Sequence, residues 1–129
     1  MVSMNMLLAI AFGGAVGAVG RYLSMAELET WLGAAFPFGT LAVNVLGSML
    51  LGGFVELSAL VWSPAPEIRA MLVVGVLGSF TTFSAFSLDV ITLYLRGEFV
   101  LCGGYILASV ILAVVAVFAG MHVVRWCVA

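Results

Sequence analysis

The chain has 129 residues, of which 65% are hydrophobic and only 8% are charged, and its formal net charge is −2. Soluble domains carry about 25% charged residues, so four basic and six acidic side chains cannot cover a water-facing surface. The composition therefore excludes a soluble globular domain and predicts a protein whose outer surface faces lipid.

Four apolar segments follow one another, at approximately residues 4–25, 37–61, 68–95 and 99–127. A helix needs about 20 apolar residues to cross a hydrocarbon core about 30 Å thick, and each segment is long enough. The runs are continuous and lack the alternation of β-barrel strands. The first segment has no basic residue before it, so we expect a retained helix and not a cleaved signal peptide. We expect one all-α membrane domain over residues 1–129 with four transmembrane helices.

The four arginines give the chain no preferred orientation, and it has no lysine. If the N-terminus marks side one of the membrane, Arg69 and Arg125 lie on side one, whereas Arg21 and Arg96 lie on side two. The positive-inside rule depends on an imbalance of basic residues between the short loops of the two sides. A balance of two against two is compatible with an antiparallel homodimer of inverted copies, and an accidental balance of so few charges stays open.

Polar side chains concentrate in the second, third and fourth segments. Asn44 shares one helix face with Thr40 and Ser48, and Tyr105 shares another with Ser109, because each pair is four residues apart. The third segment holds a denser cluster, which consists of Ser79, Thr81, Thr82, Ser84 and Ser87. Hydroxyls can bond to their own helix carbonyls, but five within nine residues exceed what packing needs. Polar groups at membrane depth mark a bundle interior or an aqueous path.

Glycines indicate both a helix interruption and close helix packing. Gly75 and Gly78 precede the hydroxyl cluster and predict a break in the third helix. Backbone that leaves helical geometry inside a membrane must face protein or a water-filled cavity, and its free carbonyls are natural cation ligands. Gly13 and Gly17 form a small-residue face on the first segment, which we interpret as a packing face.

Aromatic residues form a stripe in the third segment, where Phe80, Phe83 and Phe86 recur at three-residue spacing. Such a stripe usually packs against other helices. The edge of an aromatic ring is nevertheless positive, so rings in a dry polar slot can stabilise a small anion. Together with the Asn44 amide, these rings predict a site that binds a dehydrated anion weakly.

Four stretches of the chain together resemble the Fluc fluoride-channel family, also called CrcB. They are the glycine-rich stretch 13–22, the stretch 37–44 that ends in Asn44, the stretch 75–87 with its phenylalanines, and the pair Tyr105 and Ser109. The similarity runs across nearly the whole chain, and the stretch 75–87 is the most specific part.

The resemblance implies a fluoride-selective channel that exports fluoride passively from the cytoplasm through two pores in an antiparallel homodimer. Phe83 and Phe86 correspond to the phenylalanines whose ring edges face the ion, and Asn44 corresponds to the pore asparagine. Arg21 corresponds to the vestibule arginine that attracts anions. The remaining residues that would line or support the route are Thr82, Ser84, Tyr105 and Ser109.

The same resemblance implies a structural sodium ion (Na+) at the dimer centre, held by the backbone carbonyls of Gly78 and Thr81 from both subunits. It implies a multi-pass protein of the cell inner (plasma) membrane, whose partners are fluoride, a second copy and the lipid bilayer, with no nucleic acid. Two features depart from the family pattern. Ala113 and Val117 continue the fourth segment where hydroxyls are expected, and Phe80 stands where the family often has leucine or glycine.

Two other functions stay open from the residues alone. A small dual-topology multidrug or cation exporter needs a carboxylate in its binding site, whereas we expect Glu56 and Asp89 to be hydrated groups near segment ends. A purely structural subunit would use the glycines and hydroxyls to pack helices. We expect no enzyme, because His122 has no nucleophile at useful spacing and a chain without lysine has no phosphate-binding loop of the P-loop type.

Overall fold

The computed structural model describes residues 1–128, and all regular secondary structure in that range is helical. Helices α1, α2 and α6 and the stretch Pro66–Leu95 are each long and apolar enough to cross a membrane. The prediction of an all-α membrane protein with four spans is therefore confirmed. The elements in chain order are α1 (Met4–Leu32), α2 (Phe38–Leu60), α3 (Pro66–Ala70), a π-helical segment (Met71–Leu77), α4 (Gly78–Phe80), α5 (Phe83–Leu95) and α6 (Phe99–Val128).

Helix α1 continues past the predicted boundary at residue 25 and ends at Leu32. The added turns are stabilised locally, since Trp31 Nε1 donates a hydrogen bond of 2.8 Å to Glu27 Oε1 one turn earlier. The helix stops at Gly33, whose φ of 80° lies in the left-handed region that favours glycine. Hydropathy detects only the apolar part of a helix. It therefore did not predict the more polar turns that continue α1 to Leu32.

Glycine residues let α1 approach the third span closely. A Cβ added at Gly13 would overlap the carbonyl of Met71, and one added at Gly17 would overlap the carbonyl of Val76. The prediction that Gly13 and Gly17 form a packing face is confirmed. In membranes such small-residue faces allow the backbone contacts that hold helices together.

Helices α2 and α6 share the most extensive contact in the chain. They cross at two glycines, because a Cβ on Gly52 would overlap the Val117 carbonyl and a Cβ on Gly120 would overlap the Met49 carbonyl. Helix α6 therefore packs along α2 as well as against α5, the helix that precedes it in the sequence.

The third span includes two residues with extended backbone. Thr81 has φ −85° and ψ 158°, and Thr82 has φ −152° and ψ 126°. The Thr82 hydroxyl accepts a 3.2 Å hydrogen bond from the Ala85 N–H and thereby caps α5. This change of direction divides the span into an upstream part, which packs on α1, and α5, which packs on α6.

Candidate functional site

A groove of about 360 Å³ lies between α2, the third span and α6. Its polar side chains come from three distant parts of the chain, and they are Asn44, Ser48, Thr81, Thr82 and Ser109. Its apolar wall includes Leu51, Val73, Leu77, Val110, Ala113 and Val114. A few hydrogen-bonding groups therefore stand at a mostly apolar surface, which is the composition of a ligand or ion site.

The groove collects most of the residues predicted from sequence. The predicted residues in its lining are Asn44, Gly78, Thr81, Thr82, Phe83, Phe86 and Ser109. Ser84, Tyr105 and Arg21 do not belong to that lining. The Ser84 hydroxyl lies 3.4 Å from the Thr82 hydroxyl, next to the cap of α5.

Asn44 joins α2 to the extended residues of the third span. Its Oδ1 accepts a 2.7 Å hydrogen bond from the Thr82 N–H, and its Nδ2 donates a 2.9 Å hydrogen bond to the Thr82 carbonyl. A backbone N–H can only donate and a carbonyl can only accept, so this pair fixes the orientation of the amide. Nδ2 carries two hydrogens, and the second one is available to an acceptor in the groove.

Two backbone carbonyls lose their helical donors at this point. In a continuous α-helix the N–H of Thr82 would donate to the Gly78 carbonyl, but it donates to Asn44. Likewise the N–H of Ala85 would donate to the Thr81 carbonyl, but it donates to the Thr82 hydroxyl. The carbonyls of Gly78 and Thr81 are therefore released together for other ligands, and these oxygens fit a hard cation such as sodium.

Within residues 1–128, no group of three His, Cys, Asp or Glu side chains lies close enough to hold a metal ion.

The three phenylalanines of the stripe have different surroundings. The rings of Phe83 and Phe86 lie 5.4 Å apart between centroids at an interplanar angle of 44°, and both line the groove. Phe83 is 78% exposed, whereas Phe86 is buried. Phe80 packs towards α1 and α2, because Cβ atoms added at Gly20 and Gly47 would lie 3.7 Å and 3.3 Å from its ring. Only the pair Phe83 and Phe86 faces the groove.

Tyr105 is fully buried, and its hydroxyl donates a 2.9 Å hydrogen bond to Asp89 Oδ2. Its ring lies 5.2 Å from that of Phe86, which lines the groove. One turn further along α6, the Ser109 hydroxyl is buried in the groove wall and has no hydrogen-bond partner within residues 1–128. Ser109 therefore lies in the groove wall with its hydroxyl oxygen shielded inside the protein.

A second, more polar cavity of about 240 Å³ lies at the side-two end of the bundle. Its lining includes Glu29, Thr40, Asp89 and Arg96. Tyr105 donates a hydrogen bond to Asp89, which lines this cavity, and its ring packs against that of Phe86, which lines the groove. It therefore contacts residues of both. Sequence reasoning missed Arg96 as a cavity residue, because only the fold brings the end of α5 against residues 29–40.

The expectation that Glu56 is a hydrated carboxylate is wrong. Its side chain is 6% exposed, and its Oε1 accepts a 2.7 Å hydrogen bond from Arg125 Nε. Asp89 is also only partly exposed and is engaged by Tyr105. Position near the end of an apolar segment suggested hydration, but the pairing of α2 with α6 supplies a cation to Glu56 instead.

Comparison with known proteins decides the family. The profile of the family described as "CrcB-like protein, Camphor Resistance (CrcB)" matches residues 8–121. The chain belongs to the CrcB family. This result confirms the resemblance drawn from the stretches 13–22, 37–44 and 75–87 and from Tyr105 and Ser109.

Three similar proteins are named as fluoride-specific ion channels. A protein of Rhodospirillum centenum named fluoride-specific ion channel FluC is 52% identical over 126 residues, which are 98% of this chain and 100% of the relative. A protein of Rhizobium johnstonii with the same name is 53% identical over 116 residues, 90% of this chain and 93% of the relative. A third, from Nitrobacter winogradskyi, is 49% identical over 92% of this chain and 94% of the relative. These names describe ion channels, which are not enzymes.

Proposed function

We propose that this CrcB-family chain is a fluoride-selective channel that lets fluoride leave the cytoplasm passively and so relieves fluoride toxicity. The observation that carries the proposal is the meeting of Asn44, Phe83, Phe86 and Ser109 in one groove. The relatives named fluoride-specific ion channel, at 52% and 53% identity, support the same function.

The chemistry of the groove suits a small, strongly hydrated anion. Fluoride must exchange its water shell for other donors, and the groove offers the second Nδ2 hydrogen of Asn44, with Ser109 in the adjoining wall. The edges of Phe83 and Phe86 add partial positive charge. No lysine or arginine lines the groove, so an ion is stabilised without being trapped and can leave for the next site.

The direction of transport follows from acid–base chemistry. Hydrogen fluoride crosses membranes as a neutral molecule and dissociates at neutral pH, so fluoride accumulates inside a cell. A passive anion pathway in the inner membrane then lets fluoride leave down its gradient. We place the protein in the cell inner (plasma) membrane on this argument.

We propose that two copies assemble as an antiparallel homodimer and close the groove. An open groove that presents an asparagine amide and a serine hydroxyl to lipid is unfavourable, since lipid offers no hydrogen bonds. Phe83, 78% exposed beside the groove, offers a large apolar surface to a second copy. The balance of two arginines on each side makes both orientations equally accessible during insertion.

The released carbonyls support the proposed sodium site. Gly78 and Thr81 would each supply a backbone oxygen from both copies, so that a structural Na+ lies at the dimer centre. Bound sodium would supply a fixed positive charge that joins the two interrupted helices. The proposal agrees with the loss of helical donors at both carbonyls.

The remaining predicted residues take supporting positions in this proposal. Arg21 is half-buried on α1 and forms no ion pair within residues 1–128, so its charge at membrane depth requires contact with water. We propose that it attracts anions into a hydrated vestibule. Thr82, Ser84 and Tyr105 would line or support the route, with Tyr105 between the groove and the side-two cavity.

Liposome efflux tests the proposal directly. Purified protein is reconstituted into liposomes loaded with fluoride or with chloride, and efflux is followed with ion-selective electrodes. We expect fast fluoride efflux and little chloride efflux. Equal efflux of both anions, or none, would overturn the proposal, and proton-coupled uptake of a lipophilic cation would favour a small multidrug exporter instead.

A further inference from the structure

Glu56 and Arg125 form an ion pair that takes no part in the groove. Arg125 Nε donates to Glu56 Oε1 at 2.7 Å, and this is the sole salt bridge within residues 1–128. The Glu56 side chain is 6% exposed and that of Arg125 is 58% exposed. A carboxylate in an apolar environment is unfavourable unless a cation or several donors compensate it, so the pair behaves as one unit.

The pair stands at the end of the crossing between α2 and α6. Glu56 lies one turn after Gly52, where the absence of a side chain lets α2 contact the Val117 carbonyl. Arg125 follows Gly120, which meets the Met49 carbonyl in the same way. The glycine contacts set how closely the helices approach. The ion pair is directional, and it adds a constraint on rotation and sliding that a flat glycine surface lacks.

The register of these two helices determines the shape of the groove. Asn44 belongs to α2 and Ser109 belongs to α6, and both line the groove. Helix α6 is held to α5 by the bond between Tyr105 and Asp89 and to α2 by the pair at Arg125. Ser109 lies between these two attachments along α6. Loss of the pair at Arg125 leaves the glycine crossing alone to set the position of Ser109 relative to Asn44.

We propose that Glu56 and Arg125 are positioning residues that hold α6 in register with α2 and thereby set the distance between Asn44 and Ser109 in the groove wall. The transport consequence rests on the proposed fluoride function. The register itself does not, so the two can be tested separately.

A disulfide reporter measures the register without any transport assay. A Cβ added at Gly53 would lie 3.5 Å from Val124 Cγ2, which is ordinary contact, so Gly53→Cys and Val124→Cys place two thiols in reach. Cys127 is exposed and is replaced by serine, whereas Cys102 is buried and stays. A second, matched reporter combines Gly53→Cys with Met121→Cys. Met121 precedes Val124 on α6 by close to one helical turn.

The reporter is read in Glu56→Gln, in Arg125→Gln and in the double variant, with Arg69→Gln as the control. Arg69 lies on the same side of the membrane and forms no salt bridge within the described residues, so it tests the loss of an arginine alone. We expect Arg125→Gln to slow the intrachain cross-link at Val124 about tenfold and to raise that at Met121, because Glu56 is left uncompensated. The double variant is expected to stay as slow as Arg125→Gln, since the directional pair is absent from both.

Transport by the same variants completes the test. Fluoride efflux per reconstituted protein should fall in Arg125→Gln and in the double variant, with Arg69→Gln unchanged. A cross-link ratio unchanged in Arg125→Gln, or a double variant that recovers the wild-type ratio, overturns the positioning role even if the wild type conducts fluoride. A changed ratio in a protein that conducts no fluoride supports the positioning role and overturns the proposed function only.

Discussion

The side-chain amide of Asn44 holds both backbone polar groups of Thr82, with Oδ1 at 2.7 Å from the N–H nitrogen and Nδ2 at 2.9 Å from the carbonyl oxygen. Thr82 would otherwise present two unsatisfied groups inside the bilayer, where no water compensates them. One residue of α2 thus stabilises the extended backbone of the third span and leaves one amide hydrogen for the groove. The first prediction tests both roles.

Asn44→Asp should abolish selective fluoride efflux. The carboxylate cannot donate to the Thr82 carbonyl, and it introduces a negative charge where an anion must pass. We expect efflux to fall at least about 100-fold and the free energy of unfolding to fall by about 1–3 kcal/mol. Electrode-monitored efflux and denaturation in detergent measure the two effects. Asn5→Asp, the same change at an exposed position of α1, is the control, and wild-type efflux by Asn44→Asp would contradict the prediction.

Phe83→Ile and Phe86→Ile should each reduce fluoride efflux while the protein stays folded. Isoleucine keeps much of the apolar bulk but has no positive ring edge, so a dehydrated anion loses stabilisation of about 0.5–1.5 kcal/mol or more per ring. Efflux from liposomes gives the rate, and size-exclusion chromatography checks the assembly. The matched control is Phe118→Ile, whose ring is 58% exposed on α6. Unchanged rates in both test variants would remove the rings from the pathway.

Gly52→Ala should destabilise the packing of α2 on α6. Its new Cβ would overlap the Val117 carbonyl, and separating two packed helices costs about 1–3 kcal/mol. Gly103→Ala is the matched control on α6, because a Cβ there meets nothing within 4 Å. That variant should gain up to about 1 kcal/mol from helix propensity. Thermal unfolding in detergent compares them, and equal stability would show that the crossing tolerates side chains.

Removal of sodium should inactivate the protein reversibly if the carbonyls of Gly78 and Thr81 hold that ion. Exchange into buffer in which a large organic cation replaces sodium is expected to reduce fluoride efflux, and returning sodium should restore it. The measurement is efflux from liposomes prepared in each buffer. The control is potassium fluoride efflux with and without sodium at constant ionic strength. Full activity after prolonged sodium removal would argue against a structural ion.

Most of the fold follows from features that act locally along the sequence. Runs of apolar residues predict membrane spans, because every backbone group in lipid must be satisfied within its own helix. The packing role of Gly13 and Gly17 follows from their spacing. The end of α1 at Leu32 did not follow, since hydropathy says nothing about a polar helix outside the membrane.

Features that depend on helix pairing were harder to predict. Spacing placed Phe80 in the same stripe as Phe83 and Phe86, but the extended residues between α4 and α5 turn Phe80 towards α1. The ion pair of Glu56 with Arg125 joins residues 69 positions apart, so no local pattern reveals it. The resemblance to the CrcB family supplied positions such as Asn44 whose partners a single sequence does not show.

The donors of the extended stretch are matched inside one chain, at Asn44 for the Thr82 N–H and at Thr82 for the Ala85 N–H. In a freshly inserted copy these N–H groups are therefore already satisfied, and the carbonyls of Gly78 and Thr81 are the groups of this stretch that need a further ligand. For the proposed homodimer, biogenesis would then divide into two stages, in which each polypeptide folds alone and folded copies meet later by diffusion in the membrane plane. Under that order, the level of mature single copies sets the rate at which complete pores form.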